Sequence, residues 1–142
     1  MRQTQTSPLL ANYEEAHDVA DLPAVEWNAV CARHCSVLLE GSDTSTGAAL
    51  QLLMPCLRGV VHRRERAGAL ELPARRVDTL IVQDVSSLLA NEQRLLLAWL
   101  AEDGQRTQII STTTEPLFPL VQRGWFDERL YYRLNVVLLR LQ

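Results

Sequence analysis

The chain has 142 residues, of which 47% are hydrophobic and 22% are charged, and its formal net charge is −3. This length and apolar content suit one buried core, so we predict a single globular domain over residues 1–142. The acidic balance gives no electrostatic footprint for nucleic acid, and direct nucleic-acid binding is not expected. No apolar run approaches the ~20 residues of a membrane span, and residues 1–22 lack the apolar centre of a secretory signal. A cytoplasmic protein without a membrane segment is expected.

The first part of the chain, residues 1–34, is predicted to be helical. Ser7 is suited to cap a helix that has Pro8 at its first position, and a second helix is predicted from Pro23 to about Arg33. We assign these helices to an N-terminal segment that precedes the core.

Residues 35–142 alternate between short apolar runs and longer amphipathic ones, which predicts strands separated by helices. Nearly continuous apolar strands in this order indicate an α/β fold with a mainly parallel sheet of four to five strands, covered by helices on both faces in three layers. The predicted strands are CSVLLEG (35–41), TLIV (79–82), TQIISTTT (107–114) and NVVLLRL (135–141), with ALEL (69–72) as the candidate for a short edge strand.

The helices of this core are predicted at four places, and ANEQRLLLAWLAEDG is the most clearly amphipathic of them. In that helix Leu95, Leu96, Trp99 and Leu100 are expected to face inward. The predicted ranges are 48–54, 90–104, 115–124 as a short helix or loop, and 126–134.

Ligands of parallel sheets collect beyond the carboxyl ends of the strands. The first strand is followed by GSDTSTGAA, a polar run between a strand and a helix, which is the frame of a phosphate-binding loop. The motif G-x-x-x-x-G-K-[ST] needs a lysine that reaches the phosphates, and no lysine occurs in this run. We predict a remnant of a nucleotide site that consists of Gly41, Thr46, Gly47, Ala48 and Ala49.

Three further runs carry a resemblance to a known family. TLIVQDVSSLLANEQRLLLAWL, QIISTTTEPL and above all GWFDERLYYRLNV resemble the AAA+ domain of bacterial sigma-54-dependent transcription activators, over about residues 36–141. The resemblance implies a P-loop NTPase-like core and a role in transcription regulation. Two parts of the family pattern have no counterpart here: the G-A-F-T-G-A loop that contacts sigma-54 and the helical lid subdomain, so a degenerate, truncated core is expected.

The resemblance also assigns roles to single positions, and most of them are changed. The Walker B pair of the family, an Asp and a Glu, falls on Gln83 and Asp84, and its sensor Asn falls on Thr114. Of two arginines that the family offers to the nucleotide of a neighbouring ring subunit, one is Arg133 and the other falls on Asp127. Phosphoryl transfer depends on positioning and charge neutralisation, so we predict no catalytic residue, no useful ATPase and no required cofactor, with weak ATP or phosphate binding left open.

The preferred hypothesis is a non-catalytic AAA+-like module that acts by protein–protein contact. The predicted contact surface consists of Trp125, Phe126, Asp127 and Arg133, because aromatic and arginine side chains carry much of the energy of interfaces. The expected partner is an AAA+ activator subunit or a second copy of the chain. Two alternatives stay open: a nucleotide sensor without hydrolysis, and a weak ATPase that completes its site with a partner subunit.

The run CARHC places Cys31, His34 and Cys35 close together, with Cys56 and His62 further along, and raises the alternative of a zinc site. The spacing does not supply two clean ligand pairs, so no metal is predicted and the three cysteines are expected to be reduced. The basic run HRRER (62–66) is expected to be a solvated face, with contact to an acidic partner as its alternative.

Overall fold

The computed structural model describes residues 30–57, 59, 61–64, 69–102 and 106–141. The helices predicted for the N-terminal segment lie outside the described residues, except that residues 30–33 form a helical turn. The strands are β1 (Val37–Glu40), β2 (Val61–Arg64), β3 (Thr79–Val82), β4 (Gln108–Thr113) and β5 (Val137–Arg140). The α-helices are α1 (Asp43–Leu53), α2 (Ala90–Glu102), α3 (Phe118–Gln122) and α4 (Glu128–Leu134), and short 3-10 turns lie at Met54–Cys56 and Val85–Ser87.

The five strands form one sheet in the order β2-β3-β4-β1-β5, and every neighbouring pair is parallel. Strands β3 and β4 are buried along their whole length, and β1 is buried except at Glu40. This is why β1 and β3 carry consecutive apolar residues rather than alternating ones. The predicted α/β fold with a mainly parallel sheet is confirmed.

Each face of the sheet packs against its own set of helices. On one face, Leu38, Leu80 and Ile109 pack with buried residues of α2, α3 and α4. On the other face, Leu39 and Ile110 pack with the buried residues of α1. The result is the predicted three-layer arrangement, with the strands in the middle.

The second strand lies at Val61–Arg64, so the prediction of an edge strand at residues 69–72 is wrong. The signal was weak because β2 is an edge strand with only Arg64 buried. The HRRER run is also not simply a solvated face. Arg64 is 7% exposed, and its Nη1 donates a hydrogen bond of 2.7 Å to the carbonyl oxygen of Gln83.

The expectation of three reduced cysteines is wrong as well. Cys31, in the helical turn before β1, forms a disulfide with Cys56, in the 3-10 turn after α1, and their Cα atoms are 5.5 Å apart. Cys35 is free. Residues that are distant in sequence meet here because β1 and α1 fold back on each other as a strand–helix unit.

Helix α2 buries a narrower stripe than predicted. Leu96 and Leu100 are fully buried, whereas Leu95 is 56% exposed. Trp99 is partly buried, and its indole nitrogen donates to the carbonyl oxygen of Pro73 at 3.1 Å. Leu95 precedes Leu96 by one position, a rotation of about 100° around an α-helix with 3.6 residues per turn, so the two cannot share the buried face.

We therefore expect adjacent leucines of α2 to respond differently to truncation. Leu96→Ala should lower the free energy of unfolding by about 2–5 kcal/mol because it leaves a cavity in the core. Leu95→Ala should change it by less than about 0.5 kcal/mol, since the side chain is largely solvated. Urea unfolding followed by circular dichroism measures both, and equal losses would contradict the described rotation of the helix.

Candidate functional site

The carboxyl ends of β1, β3 and β4 meet at one edge of the sheet because the three strands are parallel neighbours. The backbone N–H of Gly41 donates to the carbonyl oxygen of Thr113 at 3.0 Å, which extends the pairing of β1 and β4 beyond the last residue of β1. This edge is where a nucleotide would be expected in a sheet of this kind.

The connection between β1 and α1 is only two residues long, Gly41 and Ser42. The Ser42 side chain caps the helix by accepting a hydrogen bond from the N–H of Ser45 at 3.1 Å, and Asp43 adds a favourable negative charge in the first turn. The sequence analysis placed a loop through Gly47 and began the helix at residue 48, and this is corrected. Serine and aspartate, which we took as loop residues, are here the start of the helix.

The two glycines of the predicted phosphate loop have different surroundings. A Cβ atom on Gly41 would lie 2.8 Å from the carbonyl oxygen of Leu141, so close approach to the end of β5 explains this glycine. A Cβ atom on Gly47 would meet nothing within 4 Å. Gly47 lies inside α1 together with Thr46 and Ala48, and Ala49 is fully buried in the core.

The residues at this edge do not fit a magnesium-bound triphosphate. The free N–H groups of a helix start are what would hold phosphate. Here the N–H of Ser45 is bonded to the Ser42 side chain, and that of Thr46 to the Ser42 carbonyl oxygen at 2.9 Å. The carboxylate of Glu40, at the end of β1, lies 3.6 Å from Arg140 Nε, so this arginine is paired with a carboxylate of the protein.

Gln83 and Asp84 follow β3 at the same edge. Gln83 Oε1 accepts a hydrogen bond from Arg63 Nε at 2.9 Å, so its side chain is turned toward β2. Asp84 has a left-handed backbone with φ of 58°, and its N–H donates to Thr112 Oγ1 at 2.8 Å. Thr112 was missed by sequence reasoning, which selected the exposed Thr114 two residues later.

The predicted contact surface is partly on the outside and partly in the core. Trp125 is 66% exposed, and the guanidinium carbon of Arg123 lies 5.4 Å from its ring centroid, a cation–π contact. Phe126 is 3% exposed and packs in the core, so its assignment to the surface is corrected. Arg133 is partly buried on α4.

Asp127, where the resemblance would place an arginine, caps helix α4. Its Oδ1 accepts a hydrogen bond from the N–H of Leu130 at 3.0 Å, and its other oxygen lies 3.8 Å from Arg129. An N-terminal aspartate both satisfies an otherwise unpaired N–H and complements the helix dipole. Asp127 therefore has a structural role that an arginine could not take.

Gln93 positions this region, and the sequence analysis did not select it. Its side chain is 4% exposed; Nε2 donates to the carbonyl oxygens of Leu88 at 3.0 Å and Trp125 at 3.2 Å, and Oε1 accepts from the N–H of Asp127 at 2.8 Å. The signal was available, because residue 93 lies on the same helix face as Leu96 and Leu100. A glutamine on the buried stripe of a helix indicates a polar partner in the core.

Helices α3 and α4 carry further aromatic rings. Tyr131 lies between Phe118 and Tyr132, with ring centroids 6.0 Å and 5.2 Å away. Burial raises the pKa of Tyr131, while its hydroxyl oxygen accepts a hydrogen bond from Asn135 Nδ2 at 3.0 Å. We call Phe118, Trp125 and Tyr132, which are 45%, 66% and 59% exposed, the aromatic surface.

Glu92 fixes the loop around residue 70 to the start of α2. Its carboxylate accepts hydrogen bonds from the N–H groups of Leu89 at 2.9 Å and Leu70 at 3.0 Å. The bond from Leu89, followed by that from Leu70, lowers the pKa of Glu92 below its ordinary value of 4.5, and the charge of Arg64 acts in the same direction. This is half of a capping box, in which an acidic side chain in the first turn reaches back to the residue before the helix.

Among the described residues, no group of three or more His, Cys, Asp or Glu side chains could hold a metal ion. Cys31 and Cys56, two potential ligands of the zinc site considered for CARHC, are joined in the disulfide. Within the residues that the structure describes, no helix combines the length and the hydropathy that crossing a bilayer requires.

Comparison with known families identifies the fold. The sequence matches the family described as the sigma-54 interaction domain over residues 66–142, more than half of the chain. The chain belongs to this family. Comparison of the domain with curated protein sequences gives no significant match.

Solved structures agree with this membership. The domain is similar to NtrX from Brucella abortus in complex with ADP, with a TM-score of 0.60 and 18% identity over 87% of this chain and 38% of that one. The ATP complex of the same protein gives a TM-score of 0.63 and 16% identity over 90% of this chain and 36% of NtrX. The domain therefore spans well under half of NtrX and shares its AAA+ P-loop NTPase-like fold. The resemblance stated from the sequence is confirmed.

The two glycines allow a direct test of the site geometry. Gly41→Ala should lower the free energy of unfolding by about 1–3 kcal/mol, because the added methyl group collides with the backbone of Leu141. Gly47→Ala should raise it by about 0.5–1 kcal/mol, because alanine is favoured over glycine inside a helix. Guanidinium unfolding of both variants measures the difference, and a loss of stability in Gly47→Ala would contradict the helical assignment.

Glu92 should make stability depend on pH in the acid range. Its pKa is lower in the folded than in the unfolded chain, so its stabilisation is complete above the ordinary value of 4.5 and is lost as the pH falls through the folded pKa. Glu92→Gln removes this titration, and its free energy of unfolding should fall less steeply with pH below 4.5 than that of the wild type. Urea unfolding at a series of pH values measures the slopes; identical slopes would contradict the assignment.

Proposed function

We propose that this sigma-54 interaction domain is a non-catalytic module of a cytoplasmic transcription regulator and that it acts by protein–protein contact. The observation that carries the proposal is the β1–α1 connection, which has only two residues and a helix start capped by Ser42. The absence of a lysine in this run and the pairing of Gln83 with Arg63 support it. We treat residues 1–142 as a single domain in this proposal.

The contact surface proposed is the aromatic surface together with Arg133. Three large rings exposed on α3, α4 and the loop between them are the kind of residues that carry binding energy when a partner covers them. Gln93 holds the Trp125 loop in place from the core, which lowers the entropy lost on binding. The proposed partner is an AAA+ activator subunit or a second copy of the domain.

Nucleotide binding and hydrolysis decide between this proposal and its alternative, a weak nucleotide-binding or ATPase domain that completes its site with a partner subunit. Calorimetry of the domain alone with ATP and Mg²⁺ should show no saturable heat, and adding the domain to an intact activator AAA+ domain should not increase the nucleotide heat measured for the activator alone. A phosphate-release assay should match the buffer rate. Phosphate release that disappears in Asp84→Ala would overturn the proposal and establish the ATPase.

The contact surface is tested by truncating one ring. Trp125→Ala should weaken association with the intact activator domain, or self-association, by more than about 10-fold, as expected for a central aromatic anchor. Leu89→Ala is the matched control, because Leu89 is 64% exposed and lies outside the aromatic surface. Sedimentation of mixtures measures both variants, and an equal effect of the two would remove the aromatic surface from the proposal.

A further inference from the structure

The disulfide joins two segments that flank the β1–α1 unit. Cys31 lies in the helical turn 30–33 before β1, and Cys56 ends the 3-10 turn that continues α1. Their Cα separation of 5.5 Å is within the range of about 4.4–6.8 Å that a disulfide requires. The bridge spans 25 residues of sequence, and this interval contains all of β1 and α1.

We propose that the Cys31–Cys56 bridge is a reversible redox clamp, which fastens the segment entering β1 to the end of α1 when oxidised and releases it when reduced. This goes beyond the contact function proposed above and does not depend on it. The element that changes state is the helical turn 30–33.

Both redox states have a place in the fold. Both cysteines are partly exposed, so a small dithiol can reach the bridge. Cys56 Sγ lies 3.1 Å from the carbonyl oxygen of Leu53, and a thiol formed there can donate a hydrogen bond to that oxygen. The reduced sulfur therefore has a partner without any movement of α1.

The reduction is a thiol–disulfide exchange with a dithiol as the reductant. One thiolate of the dithiol attacks a bridge sulfur, the Cys31–Cys56 bond breaks, and a mixed disulfide forms. The second thiolate of the dithiol then displaces the remaining cysteine. The protein gains two electrons and two protons, one proton on each sulfur, and the dithiol becomes a cyclic disulfide.

After reduction, the turn 30–33 is held by noncovalent contacts with the core. Val30 is buried, and its carbonyl oxygen accepts a hydrogen bond from Gln108 Nε2 at 2.9 Å. The same nitrogen donates to the carbonyl oxygen of Cys35 at 3.0 Å. The second bond holds the residues next to β1. Among the described residues, the turn 30–33 itself is held by the Val30 bond and by the packing of Val30 and Cys31 against the core. The turn should loosen while β1 stays in the sheet.

The experiment uses the full chain in oxidised and reduced form. Proteolysis without reductant should give one cross-linked peptide pair that contains Cys31 and Cys56, with Cys35 alkylated as a free thiol. Adding dithiothreitol should raise amide hydrogen exchange in residues 30–33 and leave β3 and β4 protected. It should also lower the folding equilibrium constant by up to a few hundred-fold, the effect of closing a loop of this length in the chain-entropy model.

Matched serine variants separate the bridge from the thiols as such. Cys56→Ser should show the fast exchange of the turn 30–33 with or without dithiothreitol, whereas Cys35→Ser should respond to the reductant like the wild type. The proposal is overturned if the oxidised chain yields no Cys31–Cys56 peptide, or if reduction leaves exchange in the turn unchanged. The mass-spectrometric readout on the wild type remains decisive even where a variant fails to fold.

Discussion

The backbone at the end of β1 is held from both sides, and this constraint shapes the whole carboxyl edge of the sheet. The N–H of Gly41 donates to the carbonyl oxygen of Thr113, the last residue of β4, and the N–H of Leu141 donates to that of Glu40 at 2.7 Å from the side of β5. Leu141, directly after β5, lies so close that residue 41 has no room for a side chain. Helix α1 begins two residues later, and Ser42 caps it.

The positions that the sequence analysis identified as departures from the family pattern make structural contacts. Asp127 caps α4, Gln83 binds Arg63, and Asp84 meets Thr112 through its backbone. The Asp127 and Gln83 side chains accept hydrogen bonds, whereas the Asp84 contact uses the backbone N–H. Such roles explain why these side chains suit the fold, and they support a function in which the AAA+ architecture serves as a scaffold for contact.

Much of the fold could be predicted from the sequence because β1 and β3 are buried strands with runs of three apolar residues, and β4 is buried along its length and includes Ile109 and Ile110. Strand β2 was missed because an edge strand needs few apolar residues, and three of its four are His or Arg. The start of α1 was misplaced because serine and aspartate favour turns and helix caps alike. The burial of Phe126 and the role of Gln93 could not be predicted because both depend on tertiary packing. Phe126 turns into the core from a loop, and Gln93 bonds to residues more than 30 positions away in the sequence.

The composition of β2 bears on how the domain behaves at high concentration. An open strand at the rim of a sheet offers unpaired backbone groups to any extended chain that approaches it, which is a route to aggregation. This rim is four residues long and carries His62, Arg63 and Arg64, with Arg63 exposed. The strand is short and the charge of Arg63 is exposed on it, and both features disfavour pairing with the same edge of a second copy.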